Sequence, residues 1–482
     1  MSANSAQPQN AAATGVAATP GSSKGAVQTG PDGKPLPDNG GLKRTLNTFD
    51  LVIFGMIFMV PIAPFSILAS VNNTSHGMPA LAYLIAMVAM LFTALSFGQM
   101  VPLFPSSGSI YVYASHEMNT PIGFAVGWLM ILQYLVTPAV MLIMAGEAIH
   151  EYVPHVPVWV WCLIFLAFIT VVALRGMGAT VLIDKIALVC ELIVLALFIG
   201  FGIAYVIRNP QVAHFSGDAF YDPKTFNLNA MMSAVSLCAL SYVGFGSIVT
   251  LDDEVKKPRK APPKAMLIIV LALGVLYMLM SWVTVCMDPS GNVMAGNPNN
   301  GFYQVAALAG NWLGILCAVA NALALGLFTS LSGLTAISRL LFTMACDGAL
   351  PARLKKVSKK TSVPIAATVF CVLVSLVLLF AILPLGMDTG AKISNFGALG
   401  SYCMLNLAVL WGLGIKGRGT LTGAKKIWFN YVFPIIGAII TLIIFISLGA
   451  LVWIIGVIWL VIGIAFYFVW TKKLHHSVDL RA

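Results

Sequence analysis

The sequence predicts an all-α polytopic membrane protein of twelve transmembrane helices, with helices 1 and 6 broken at mid-span. Three observations lead there. The 482 residues are 59% hydrophobic and only 9% charged, whereas a soluble domain carries about 25% charged residues. The apolar residues gather into twelve runs, each near the roughly 20 residues needed to cross the hydrocarbon. Two of those runs, five spans apart, are interrupted at their centres by Pro or Gly.

Taken in order, residues 1–41 are rich in Ala, Ser, Gly, Pro and Gln. They hold too little apolar surface to fold and are expected to be a disordered cytoplasmic tail. No short apolar core with a small-residue cleavage site appears there, so no cleaved signal peptide is expected. The first six spans are read at 49–71, 79–103, 121–149, 157–174, 179–207 and 229–251. The second six are read at 263–286, 311–337, 363–383, 392–414, 430–448 and 451–471. This divides the chain into 42–207 (helices 1–5), 208–414 (helices 6–10), 415–471 (helices 11–12) and a short cytoplasmic tail, 472–482.

The net charge of +10 is topology information. With the N-terminus inside, the loops after even-numbered spans are cytoplasmic. Of the 27 Lys and Arg, all but Arg208, Lys224 and Lys392 fall in those loops, in the adjoining ends of the spans (Lys185, Lys264) or at the termini. That is the positive-inside asymmetry, and it places both termini in the cytoplasm of a cell (inner or plasma) membrane. It also removes the case for a nucleic-acid partner. The eight cysteines lie in or beside apolar runs without a CxxC pair, so neither a disulfide framework nor a metal site is expected. The longer, more polar loops 208–228 and 287–310 face outward.

The candidate site begins at the two breaks. A helix in lipid satisfies its own backbone, and an interruption persists only where the freed groups are buried in protein or line a cavity. Interrupted helices at matching places in two halves point to a transporter's binding site. Span 1 carries Val60-Pro61-Ile62-Ala63-Pro64, where two prolines remove N–H groups and clash with the preceding turn. Span 6 carries Ser241-Tyr242-Val243-Gly244-Phe245-Gly246, where the glycines permit backbone conformations closed to other residues. Either break could be a simple kink; paired, they favour discontinuity. Pro61, Ile62, Ala63, Tyr242, Val243, Gly244 and Phe245 are therefore the expected substrate-binding backbone and walls. Gln133 and Tyr134 of span 3 are second-rank candidates.

Glu191 lies midway along span 5. An ionisable group at that depth is expensive and should face the bundle interior. Because burial favours the neutral carboxyl, such a residue suits proton uptake and release. A permanently protonated Glu making one structural hydrogen bond is the equal alternative. Span 8 contains Thr329-Ser330-Leu331-Ser332-Gly333-Leu334-Thr335. The Ser330 and Ser332 hydroxyls could complete a cation site against span 1, or serve as interhelical glue. Asp50, at the start of span 1, reads as first-turn dipole stabilisation. After span 6, Asp252-Asp253-Glu254 precedes a run of bases, and Asp253 and Glu254 are candidates for an inner-gate latch. No nucleotide-binding loop, metal-ligand cluster or nucleophile elbow is present. The expectation is a carrier, not an enzyme, without cofactor and without ATP use, working on a small solute and driven by an ion gradient or exchange.

At this point the chain resembles the amino acid–polyamine–organocation superfamily of secondary transporters. The loop from Asp253-Glu254 through Lys257-Pro258-Arg259 to Pro263-Lys264-Ala265 resembles that family's acidic-pair, Pro-Arg, Pro-x-Ala loop, with Asp in place of the first Glu. Pro105-Ser106-Ser107-Gly108-Ser109-Ile110-Tyr111-Val112-Tyr113 resembles the stretch before its third span, and Gly127-Trp128 that span's opening. Arg339 through Asp347-Gly348-Ala349-Leu350-Pro351 resembles its ending of the eighth. The resemblance covers about 43–470. It implies a five-plus-five inverted-repeat fold, like the leucine transporter's, with helices 1 and 6 unwound around a central site. It also implies an amino acid, amine or polyamine as solute. Ile393-Ser394-Asn395-Phe396-Gly397-Ala398-Leu399 and the proline-containing break bring it nearest to putrescine-importer-like permeases. There are departures. Pro61-Ile62-Ala63-Pro64 replaces the Gly-Ser/Thr-Gly whose N–H groups hold a substrate carboxylate in amino-acid members. Gly246 stands where diamine importers carry an acid. Glu191 matches by position a lysine that proton-coupled members use.

Overall fold

Among the described residues, twelve helical spans are long and apolar enough to cross a bilayer, the two interrupted ones among them. The computed structural model describes residues 46–104, 109–175, 180–257, 260–346, 348–358, 363–419 and 421–473. The expected N-terminal tail and residues 474–482 lie outside them.

Span 1 opens with α1 (Thr48–Met59), where Asn47 Oδ1 accepts from the N–H groups of Phe49 and Asp50 while Asp50 Oδ2 accepts from the Asn47 N–H at 3.0 Å. This reciprocal cap satisfies amides that no helical carbonyl can reach. After the break the span resumes as a 3₁₀ turn (Ala63–Ser66) and α2 (Leu68–Thr74). Then come α3 (Pro79–Met100), the short α4 (Ser109–Glu117), α5 (Thr120–His150), α6 (Val158–Arg175) and α7 (Thr180–Arg208). Span 6 is α8 (Leu228–Tyr242), capped by Asn227, followed by a 3₁₀ segment, Phe245–Glu254. The rest runs α9 (Ala261–Met287), α10 (Asn292–Gly296), α11 (Gly301–Ala309), α12 (Asn311–Leu323), α13 (Ser330–Cys346), α14 (Ile365–Ile382), α15 (Met387–Val409), α16 (Gly423–Ile427), α17 (Phe433–Ile446) and α18 (Ala450–Phe468). A π-helical turn, Ala324–Thr329, joins α12 to α13 into one long span.

The central mast is α5, whose apolar stretch is entirely buried. It touches α4, α6, α13, α14, α15 and α18. Pro138 sits inside it without ending it. Bundle neighbours re-satisfy what a proline frees within a membrane helix. At the α5–α18 contact the indoles of Trp128 and Trp459 stack at 4.9 Å, and each Nε1–H donates to the other's carbonyl at 2.8 Å. The outward faces of the peripheral helices are apolar, with Phe370, Val377, Ile454, Ile458 and Val461 exposed. In lipid that face is solvated by acyl chains.

One stretch departs from expectation. The segment 287–310, read as a polar loop, folds into α10 and α11 and packs inward. Met294, Phe302 and Tyr303 are fully buried there. Its apolar residues at helical spacing were masked by flanking Asn, Pro and Gly.

Candidate functional site

The two interrupted spans meet each other. In span 1 the helix ends at Met59, and Val60 adopts φ +57°. For a β-branched residue this is a strained conformation, of about 1–3 kcal/mol, that persists only when its surroundings impose it. Pro61 and Pro64 have no N–H. The N–H groups of Ala63 and Phe65 already donate to the Val60 and Ile62 carbonyls, each at 3.0 Å. The first break is thus poor in free donors and rich in carbonyls. In span 6, α8 ends at Tyr242, Val243 is extended, and Gly244 takes φ +124°. A Cβ at Gly244 would run into the Phe58 ring of α1. This position therefore needs glycine twice over, for its backbone angle and for the approach of the other broken helix.

Both α1 and α8 finish at the break, so both bring the negative end of a half-helix to the same place. Their last carbonyls converge on one side chain of α9; of the three, that of Val60 also accepts from the Ala63 N–H at 3.0 Å. The Tyr277 hydroxyl lies 3.1 Å from the Met59 oxygen, 3.0 Å from Val60 and 3.1 Å from Ser241. Tyr83 and Tyr242 close around it, with ring centroids 5.6 and 5.4 Å from that of Tyr277. The Tyr242 hydroxyl donates to the Tyr83 carbonyl at 3.1 Å.

Of the residues singled out from sequence, Tyr242, Val243, Gly244 and Phe245 line this junction, and Pro61 and Ile62 are buried beside it with Ala63 half-buried. Gln133 and Tyr134 reach it through a residue that sequence did not flag. Tyr402 of α15 lies within electrostatic range of the Gln133 side chain, Tyr134 and the Gly244 backbone. Its ring lies 5.3 Å from that of Phe245. Tyr277 and Tyr402 were invisible in sequence because tyrosines at helical spacing look like core; only the fold aims their hydroxyls at the breaks.

Glu191 is buried on α7 and lies within electrostatic range of Tyr277. Its helix packs on α1 and α9, and its burial turns it toward the bundle. Ser330 spends its hydroxyl on the Leu325 carbonyl at 2.7 Å, inside the π-helical turn, and Ser332 is half-buried. That turn packs against α1. The hydroxyl left without a partner there is that of buried Thr329. The backbone of Asp253 and Glu254 closes the 3₁₀ segment of span 6. Their side chains, with Pro258, Arg259, Asp347 and residues 105–108, lie outside the described part, so the latch rests on sequence alone.

At one end of the junction a polar knot joins three elements. Asn321 Nδ2 of α12 donates to Ser66 Oγ at 2.5 Å and to the Tyr303 hydroxyl at 2.7 Å. Beside it Phe302 stacks on Phe65 at 4.2 Å. The inserted α11 therefore closes that side of span 1.

The family model described as amino acid permease matches residues 51–473. The low-affinity putrescine importer PlaP of Escherichia coli (strain K12) is 27% identical over 460 residues, covering 91% of this chain and 96% of that protein. The branched-chain amino acid permease BcaP of Bacillus subtilis (strain 168) is 26% identical over 454 residues, covering 90% and 94%. The methylthioribose transporter of the same organism is 25% identical over 469 residues, covering 91% and 95%.

Proposed function

Since the chain belongs to the amino acid permease family of the amino acid–polyamine–organocation superfamily, we propose that it is a secondary importer of an amino acid, amine or related small solute, coupled to protons and working by alternating access. The observation that carries this reading is the convergence of Met59, Val60 and Ser241 carbonyls from two opposed half-helix ends. Such a cluster is a negative pole in a low-dielectric setting and fits a cationic amino group. The same break is short of donors, which favours recognition through the amine over recognition through a carboxylate. Tyr242, Phe245 and Tyr402 supply apolar walls for the rest of the solute.

Glu191 is the proposed proton carrier: its burial beside the junction lets a change of protonation be felt there. The basic loops orient the carrier with both termini in the cytoplasm of the cell membrane. Sodium symport is the second reading, favoured by the unpartnered Thr329 hydroxyl on the turn facing α1.

The test is uptake by purified protein in liposomes, with labelled putrescine, L-leucine and methylthioribose offered under an inward pH gradient. Accumulation of putrescine or leucine that collapses with a protonophore is expected. Uptake that requires sodium moves the coupling to the second reading. Uptake of methylthioribose alone, a solute without an amine, defeats amine recognition. Ligand binding without flux makes the protein a sensor.

A further inference from the structure

We propose that the Tyr277 hydroxyl is a built-in stand-in for the substrate's ammonium group, holding the two broken helices together while the carrier is empty. The inference rests on the amine reading above. A phenol has one proton to donate, yet three carbonyl oxygens lie 3.0–3.1 Å from the Tyr277 oxygen. That proton reaches one of them at a time; Val60 keeps its bond from the Ala63 N–H and one free lone pair, while Met59 and Ser241 depend on Tyr277. An ammonium has three donors, which is the number of acceptors present, and its bonds are charge-assisted and stronger than those of a neutral phenol. The acceptors come from both interrupted spans, and one of them belongs to strained Val60. Nothing else on α9 reaches both breaks in this way. The hydroxyl of Tyr83, the neighbouring phenol, lies 3.4 Å from the Ser241 hydroxyl.

The consequence is a division of labour within the transport cycle. With substrate bound, the ammonium satisfies the carbonyls and Tyr277 is dispensable. After release, buried carbonyls without a donor are costly, and Tyr277 returns to them so that the empty carrier can reorient. Tyr277 is thus a positioning residue for the empty return step. It also competes with the substrate for the same acceptors.

The experiment compares net uptake with exchange in liposomes for wild type and Tyr277→Phe, using labelled putrescine and labelled L-leucine. Exchange needs only the loaded carrier, whereas net uptake needs the empty one to return. Tyr277→Phe is expected to keep the maximal rate of exchange within twofold of wild type, with its KM lowered, while net uptake falls about fivefold or more. A merely structural role would lower both together; a parallel loss of the two, or no loss in either, overturns the proposal. Should Tyr277→Phe not yield folded protein, 3-fluorotyrosine placed at position 277 keeps the ring and strengthens the donor. It is expected to raise the KM for exchange severalfold with an unchanged maximal rate, and an unchanged KM overturns the proposal. If wild type moves neither solute in either mode, it is the amine reading itself that fails, and this inference falls with it.

Discussion

Gly244 condenses the site into one residue. Its φ of +124° and the Phe58 ring beneath it leave no room for a side chain. Gly244→Ala is expected to cost about 1–3 kcal/mol, seen as a lower melting temperature in detergent, and to abolish solute-induced stabilisation. Gly246→Ala is the control. The Cβ there meets only the Phe97 ring, at 3.1 Å, so a smaller fall with binding retained is expected. Glu191 is the other residue on which much turns. Glu191→Gln removes a titrating group while keeping shape, so uptake driven by a pH gradient should vanish while counterflow persists. Undiminished gradient-driven uptake would remove Glu191 from coupling and leave it a structural acid.

Among the elements, the interrupted spans and the π-helical turn of span 8 carry the proposed mechanism. Span 1 was legible because Pro61 and Pro64 announce themselves. Span 6 was legible through Gly244 and Gly246. Sequence could not say that the second half of span 6 is a 3₁₀ segment, nor that Ser330 is consumed by its own turn. Hydroxyl-rich stretches read alike whether they bond inward or project to a ligand, and only backbone geometry separates the two. Thr329 then becomes the element's informative position. Removing an unpartnered buried hydroxyl leaves no donor or acceptor stranded. Thr329→Val should therefore leave stability within about 1 kcal/mol of wild type and sodium-free uptake within twofold. Loss of a sodium requirement in that variant would instead establish the turn as a cation site.

For the whole molecule, the open matter is which face looks outward. The proposed orientation, with both termini cytoplasmic, rests on the basic loops and the positive-inside rule. In a Cys190→Ser background, His214→Cys in the 208–228 loop should be labelled in intact cells by a membrane-impermeant maleimide. Arg353→Cys, on the opposite set of loops, should react only after permeabilisation. Both positions are exposed, so the reverse pattern would invert the carrier and turn import into export.

Composition and apolar run length alone determined that this chain is a twelve-helix membrane protein, where its spans lie, and where two of them break. A bilayer leaves so few ways to satisfy a backbone that hydropathy and helix-breaking residues are enough. Tertiary structure alone decided which groups meet at the breaks: Tyr277 from α9, Tyr402 from α15, and α11 folded inward over Phe65. Those meetings join residues far apart in the chain, and helical spacing says which face a side chain occupies but not what lies across from it.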